Sequence, residues 1–378
     1  MAFLLPRSLV DTLVGPGRLY PLRSGNVDDT SLDFFPQDLA VSEVILAILI
    51  FVGRQILHLI GLGDRFYIRT GSGKDEESYE LPELMLAMPF RINEEDLEKY
   101  ATALNSASSS SSGANSSVQP YQGAEILLDS PAQTCLVLSA FSEPAMLLLL
   151  AHHRCPVRPL GAVNVRNTFE ILRPDLCSME MLMNTKLVVV AALKKQTRKV
   201  KRGLEVDVVV EVASYVDPDV VVFRQVFTML QFMKFSKVPV ASAPKADGLS
   251  IDELSKREGW RSFTVSAKAP RSWSKICKDY NPIHVSSVAA KMFGFSSSIA
   301  HGNHTLALAL AQFDTNHDYK YDAKDKPILM EVQFRKPVVL PATLSALAVQ
   351  EGDNNCDFYI EQNAKVCVSA SLGLADGH

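Results

Sequence analysis

Asp279-Tyr280-Asn281-Pro282-Ile283-His284 sets a carboxylate and an imidazole five residues apart around an Asn-Pro corner. Imidazole is the side chain most easily poised near neutral pH. A neighbouring carboxylate can orient it or share one water with it. Pro282 fixes its own backbone and pushes Asn281 away from helix. The spacing therefore predicts a helix over 272–278 that stops near Asp279, and a new one from Ser286 or Ser287. Between them the side chains of Asp279 and His284 converge on a tight turn. Asn281 suits a turn-stabilising hydrogen bond. Taken alone, the hexapeptide also fits an Asx-Pro turn carrying a surface histidine.

Ile299-Ala300-His301-Gly302 follows, and an apolar run from Leu306 to Leu310 comes after it. That run reads as a helix buried inside a curved sheet. The first N–H groups of such a helix lack intrahelical partners and lie at the positive end of its dipole. A carbonyl oxygen placed there is polarised, and the charge growing on it in an enolate-like transition state is stabilised. Gly302 lets a substrate approach that backbone closely. A water-handling pair followed by an oxyanion site is chemistry for moving a water and a proton. His301 and His304 are three apart, but no cysteine or carboxylate cluster accompanies them, so the sequence does not support a metal centre.

The elements that must hold these groups are legible in part. The chain has 378 residues, 47% hydrophobic and 21% charged, which implies two or three structural units of ordinary globular composition. A formal net charge of −4 argues against a nucleic-acid partner. Cys135, Cys155, Cys177, Cys277, Cys356 and Cys367 form no C-x-x-C pair, which fits reduced thiols in an intracellular protein. Arg7, Arg18 and Arg23 weakly resemble an organelle transit segment, although nearby prolines and glycines disfavour a transit helix.

Leu39–Leu62 is apolar, interrupted by Glu43, Arg54, Gln55 and His58. Three readings compete for it: a helix on a membrane surface, a single span, and a helix buried against the rest of the protein. Asn93, followed by Glu94, Glu95 and Asp96, marks a capped helix start running to about Leu104. Residues 105–117 read as a flexible Ser-rich linker, separating an N-terminal region from the catalytic part. We therefore divide the chain at 1–123, 124–245 and 250–378.

The two parts beyond the linker share an order: an apolar helix, a V-x-[VF]-R strand, then long strand-like runs. In the first, the helix is Pro144–Ala151 and the strands are Val163–Asn167, Leu187–Leu193, Val206–Val212 and Val220–Phe232. In the second, the helix is Gly302–Phe313 and the strands are Ile328–Arg335, Thr343–Gln350 and Phe358–Leu372. Ile328, Met330, Val332 and Phe334 alternate with polar residues, as in a sheet with one face on a helix. Asp353-Asn354-Asn355 reads as a hairpin turn. The basic run Lys194–Arg202 reads as a solvated hairpin tip, or as an attractor for an anionic group.

Asp279, Asn281, Pro282 and His284, then Ala290, Gly294-Phe295 and Ile299-Ala300-His301-Gly302, resemble the signature of the MaoC-like dehydratases, also called R-specific enoyl-CoA hydratases or hydratase 2. Val332-x-Phe334-Arg335-x-Pro337-Val338 with Thr343-Leu344 resembles the strand motif that follows. The likeness covers about Trp260 to Leu372, and the first half faintly resembles the degenerate repeat of a double member. It implies an α+β double hot-dog, here preceded by an apolar N-terminal helix and the Ser-rich linker. It implies reversible hydration of trans-2-enoyl thioesters to (3R)-3-hydroxyacyl thioesters in fatty-acyl metabolism. Asp279 and His284 would handle water and proton, Gly302 N–H would bind the thioester oxygen, and Asn281 and His301 would support them. No cofactor is implied beyond the CoA or acyl carrier protein that carries the substrate.

Two positions depart from the family pattern: Lys278 stands where a Gly commonly precedes the Asp, and Asn303 where a Met commonly follows His-Gly. The first half has no matching Asp and His, so one active site per chain is expected. Other classes stay open: a non-catalytic, membrane-associated acyl-thioester scaffold, or a hot-dog thioesterase. The expected partners are an acyl-thioester substrate, a membrane through Leu39–Leu62, and a second copy in a homodimer. The expected location is intracellular, at an organelle membrane.

Overall fold

The computed structural model describes residues 29–60, 68–70, 78–107, 128, 130–152, 154–233, 251–254, 256–313, 326–352 and 354–375. Arg7, Arg18, Arg23, the Ser-rich segment beyond Ala107 and Asp353 lie outside them. In chain order the elements are β1 (Asp29–Ser31), α1 (Val41–Leu59), β2 (Ile68–Thr70), β3 (Ser78–Glu80), β4 (Leu84–Phe90) and α2 (Glu94–Ala107). Then come α3 (Pro131–Ala151), β5 (Ala162–Ile171), α4 (Met179–Asn184), β6 (Leu187–Val200), β7 (Gly203–Ser214) and β8 (Val221–Phe232). The last third opens with α5 (Ile251–Leu254), β9 (Arg261–Val265), α6 (Ala269–Cys277), α7 (Pro282–Val285), α8 (Ser287–Met292) and α9 (Gly302–Leu310). It closes with β10 (Ile328–Phe334), β11 (Ala342–Gln350), β12 (Cys356–Gln362) and β13 (Lys365–Leu374).

Two compact units emerge, and their segments interleave. One holds Met1–Arg91, Ser142–Asn167 and Lys186–Lys245; the other holds Ile92–Phe141, Thr168–Thr185 and Ala246–His378. The region before the linker is therefore not set apart. Its strand β4 joins the first unit's sheet, and its helix α2 packs in the second unit.

In the first unit the strand order is β1-β4-β6-β7-β8. All pairs are antiparallel except β1 with β4. Strand β4 pairs along its length with Leu187–Leu193. Its sequence, LMLAMPF, shows no alternation and contains Pro89, which hides the strand from pattern reading. Strand β6 runs well past Leu193 into the basic run, so only Lys201 and Arg202 form the hairpin tip. Gly203 follows at φ +155, where a Cβ would lie 2.0 Å from the Gln231 carbonyl oxygen. Arg198 forks onto Asp207 at 2.6 and 2.7 Å, and Lys195 meets Glu80 at 3.2 Å. Part of the run's charge is thus neutralised within the sheet.

Helix α3 begins 13 residues before the expected Pro144 and passes through it. An interior proline costs a hydrogen bond, about 3 kcal/mol. Burial of nearly every side chain from Ala132 to Ala151 offsets that cost. The helix is long and apolar enough to cross a membrane, but 94% of its apolar window is buried, as in a core helix.

In the second unit the order is β10-β13-β12-β11-β9, antiparallel throughout. Ile328, Met330 and Val332 are buried, and Glu331 between them is exposed, as the alternation requires. The run Phe358–Leu372 is two strands, not one. Asn363 and Ala364, at φ 53° and 55°, turn the chain between them. Both residues lie in the left-handed region of a two-residue hairpin turn, usually marked by glycine. Residues Asn303 to Leu310 of α9 are all buried.

Candidate active site

Helix α6 ends where the site begins. Lys278 is its C-cap, in the left-handed conformation at φ 58°, and its N–H donates to the Ser274 carbonyl. This is the conformation glycine adopts at least cost, so the departure from the family's Gly has a structural meaning. The backbone keeps the glycine shape, and a lysine side chain carries the strain.

The left-handed step turns Asp279 back over α6. Its carbonyl accepts from the fully buried Ser274 Oγ at 2.6 Å and faces His301 Nε2 at 3.1 Å. Its carboxylate is split in function. Oδ1 accepts from the Asn281 N–H at 3.0 Å, while Oδ2 points at the histidines. Asn281 Oδ1 in turn accepts from the Ile283 N–H at 3.3 Å and caps α7. The turn predicted for Asn281 is therefore built from both its backbone and its side chain.

His284 Nδ1 lies 2.9 Å from the Ile299 carbonyl. A carbonyl can only accept, so Nδ1 carries a proton, and in the neutral ring Nε2 presents a lone pair. Nε2 stands 3.8 Å from Asp279 Oδ2. That gap is too long for a direct hydrogen bond, but a water at roughly 2.8 Å from each atom closes the triangle.

His301 obeys the same rule. Its Nε2 faces the Asp279 carbonyl and so donates, leaving Nδ1 buried without a hydrogen-bond partner. Burial, then the neighbouring His284 and His304, push its pKa well below the usual histidine value. Its ring is a neutral donor stacked on His284, with centroids 3.8 Å apart and planes at 27°.

Asp279, His284 and His301 bring three ligand-type atoms within 4.8 Å of one another. Imidazole lone pairs lie in the ring plane, and zinc wants nitrogens at about 2 Å in tetrahedral array. One ion cannot lie in two stacked, nearly parallel ring planes at that distance. The trio suits a water better than a cation.

Segment 298–301 is strapped down on two sides before α9 starts. The Ile299 N–H donates to Ile283, Ala300 N–H to Val338, and Ser298 accepts from the Leu340 N–H. His301 is then the N-cap of α9 and makes no side-chain cap bond. The Gly302 N–H opens α9, where a helix supplies no carbonyl of its own. Gly302 itself is explained differently from expectation. A Cβ there would lie 2.3 Å from Cε1 of Phe334. The direction its missing side chain would take is filled by the Phe334 ring, not left open for substrate.

Behind this layer, His304 stacks on Trp273 at 4.7 Å and 12°, and Tyr100 of α2 tilts against Trp273 at 5.3 Å. The Tyr100 hydroxyl bonds Gln133 Oε1 at 3.0 Å, and Gln133 Nε2 donates to the Ala307 carbonyl at 3.0 Å. Asn303 Nδ2 donates to Ser139 Oγ at 3.1 Å. These ties fix α6 and α9, which carry the two halves of the site. The tertiary structure thus brings together Asp279, Asn281, His284, His301 and Gly302. Sequence reasoning missed Ser274, Phe334 and the Trp273–His304 stack. No spacing rule marks them, because each acts through a contact made only in the fold.

Largely antiparallel sheets with long apolar helices define a protein of the hot-dog class, and the anchored Asp–His pair beside a buried helix start is its candidate hydro-lyase site. The MaoC-like domain matches residues 256–370. The chain is 32% identical over 226 residues to 3-hydroxyacyl-thioester dehydratase X of Mycobacterium tuberculosis, covering 60% of this chain and 72% of that protein. It belongs to the MaoC-like dehydratase family.

Solved structures share the fold. The crystal structure of HtdX of M. tuberculosis has a TM-score of 0.53 at 22% identity, covering 78% of this chain and all (100%) of that one. A MaoC-like dehydratase from Phytophthora capsici has a TM-score of 0.51 at 16% identity, covering 79% and 97%. The peroxisomal multifunctional enzyme type 2 of Drosophila melanogaster has a TM-score of 0.50 at 20% identity, covering 77% of this chain and 48% of that one.

Proposed function

We propose that the protein reversibly adds water across the double bond of trans-2-enoyl thioesters to give (3R)-3-hydroxyacyl thioesters in fatty-acyl metabolism. The observation that carries this reading is the 3.8 Å gap between Asp279 Oδ2 and His284 Nε2, two proton acceptors whose companion atoms Oδ1 and Nδ1 are already anchored. One water donates a hydrogen bond to each. Its lone pair then faces the β-carbon of a bound enoyl group. As the C–O bond forms, the pair takes one water proton, and a proton is returned to the α-carbon. Charge gathering on the thioester oxygen is met by the Gly302 N–H at the start of α9. Dehydration is the same path reversed.

In this reading Asn281 holds the carboxylate, and His301 holds the Asp279 backbone without exchanging a proton itself. The thioester acidifies the α-hydrogen, so the chemistry calls for no metal or redox group, and the acyl chain arrives on CoA or acyl carrier protein. The (3R) configuration rests on family membership, and the position of the hydroxyl is that in the relative's name, 3-hydroxyacyl-thioester dehydratase.

Loss of the enoyl absorbance of crotonyl-CoA and longer enoyl-CoAs is the test. Asp279→Asn and His284→Ala should each slow hydration by roughly 10²–10⁴-fold. Unchanged rates in both would overturn the site. Release of free thiol in place of hydration would make the protein a thioesterase, and acyl-CoA binding without turnover would make it a scaffold.

A further inference from the structure

Helix α1 has two faces of opposite kind. Val44, Ala47 and Phe51 are buried against the first unit. On the other side, Val41, Ile45, Leu49, Val52, Ile56, Leu57 and Ile60 are 36% to 61% exposed. Apart from Leu57, these residues recur every three or four positions, which makes one continuous stripe along the helix. The helix has 19 residues, so the stripe extends about 28 Å. Surface leucines scattered singly need no explanation, but a contiguous apolar stripe does.

The described charges of α1 are turned away from this stripe. Glu43 is buried, and its carboxylate accepts from the Ala40 N–H at 2.8 Å. Arg54 donates to the carbonyls of Leu150, at 2.5 Å, Ala151, at 3.0 Å, and His152. Those carbonyls close α3, where a cation is favoured by the helix dipole. Arg54 thus pins α1 to the body of the unit while removing charge from the outer face. A helix pinned in this way lies along the surface of its unit and is not free to span a bilayer.

The chemistry of the stripe says what covers it. Protein interfaces draw their binding energy from aromatic residues, methionine and arginine in a shaped core with a polar rim. The stripe has none of these; it is aliphatic and uncharged along its length. Hydrocarbon makes no demand for shape or hydrogen bonds, and an apolar helix face buries about 5–10 Å deep at a bilayer surface. The preceding residues 1–27 carry Arg7, Arg18 and Arg23 against Asp11 alone, a charge balance suited to anionic headgroups. We propose that the outer face of α1 docks in the interfacial hydrocarbon of a lipid bilayer, holding the protein at a membrane surface.

Vesicle flotation of the full chain tests this without reference to catalysis. With phosphatidylcholine–phosphatidylserine vesicles the wild type should float at low salt and, because the contact is apolar, also at high salt. Ile45→Glu combined with Leu49→Glu and Ile56→Glu should lower the floating fraction at least about tenfold. Far-UV circular dichroism and the melting temperature should stay unchanged, since these side chains face outward. Serine at the same three positions is the milder variant if the glutamates disturb folding. The proposal is overturned if the wild type stays with the aqueous phase, or if both variants float as it does. It is also overturned if sedimentation shows a wild-type dimer that the variants split while lipid binding does not change, which would make the stripe a self-interface.

Discussion

Lys278 shows how a single residue reports on its backbone. Its φ of 58° is the left-handed value at which a Cβ is strained. Lys278→Gly should stabilise the protein by about 1 kcal/mol without moving Asp279, readable as a higher melting temperature with activity retained. Gly302 is the opposite case. Gly302→Ala drives a methyl into the Phe334 ring, an overpacking worth about 1–3 kcal/mol. In a Phe334→Ala background Gly302→Ala should cost much less, and a double-mutant cycle by thermal melts measures that coupling. If the two effects simply add, the ring is not what demands glycine. The hexapeptide itself was readable from the sequence because proline and asparagine dictate local turns. The role of Ser274 was not, because its bond to Asp279 exists only once Lys278 has reversed the chain.

Among the elements, α2 decides most against expectation. Its N-terminus is a reciprocal cap: the Asp96 N–H donates to Asn93 Oδ1 at 2.9 Å, and the Asn93 N–H to Asp96 Oδ2 at 3.2 Å. The capped start was legible from Asn93 and the acidic residues after it. That the helix packs its Tyr100 against Trp273 was not. Asn93→Ala should cost about 1 kcal/mol. Because α2 braces α6, hydration should then be lost at a lower temperature than in the wild type, as temperature-resolved rates would register. Strand β4 carries the same lesson. Its partner β6 lies about a hundred residues away, and no local pattern announces the pairing.

At the scale of the whole molecule, the interleaved units imply that the chain cannot be trimmed at the linker. A chain beginning at Tyr121 lacks β4 and α2, so it uncovers one edge of β6 and one face of Trp273. It should aggregate or fail to fold, which solubility and circular dichroism will show. Acid should also unfold the intact protein early. Burial pushes His304 down to about 3, and His301 lies well below its usual value, so both are neutral when folded. Unfolded, they bind a proton near pH 6.5. Below that pH the unfolded state holds more protons, so stability falls as pH drops towards the folded values. Each histidine adds up to about 1.4 kcal/mol per pH unit. His304→Phe should flatten that acid limb in denaturant melts from neutral pH downward.

The sequence by itself determined the turn that carries Asp279 and His284, the buried helix start at Gly302, the alternating strands of the second unit and the family. These are local: backbone restriction by Pro282, two-residue periodicity and helix ends act within a few positions of one another. Only the tertiary structure decided which atoms of the pair stay free. That depends on Ile299 anchoring Nδ1 of His284 and on Asn281 anchoring Oδ1 of Asp279. It also decided that α1 keeps an uncharged outer face, because Arg54 finds its carbonyl partners almost a hundred residues away. Such contacts are set by long-range packing, and no pattern along the chain encodes them in advance.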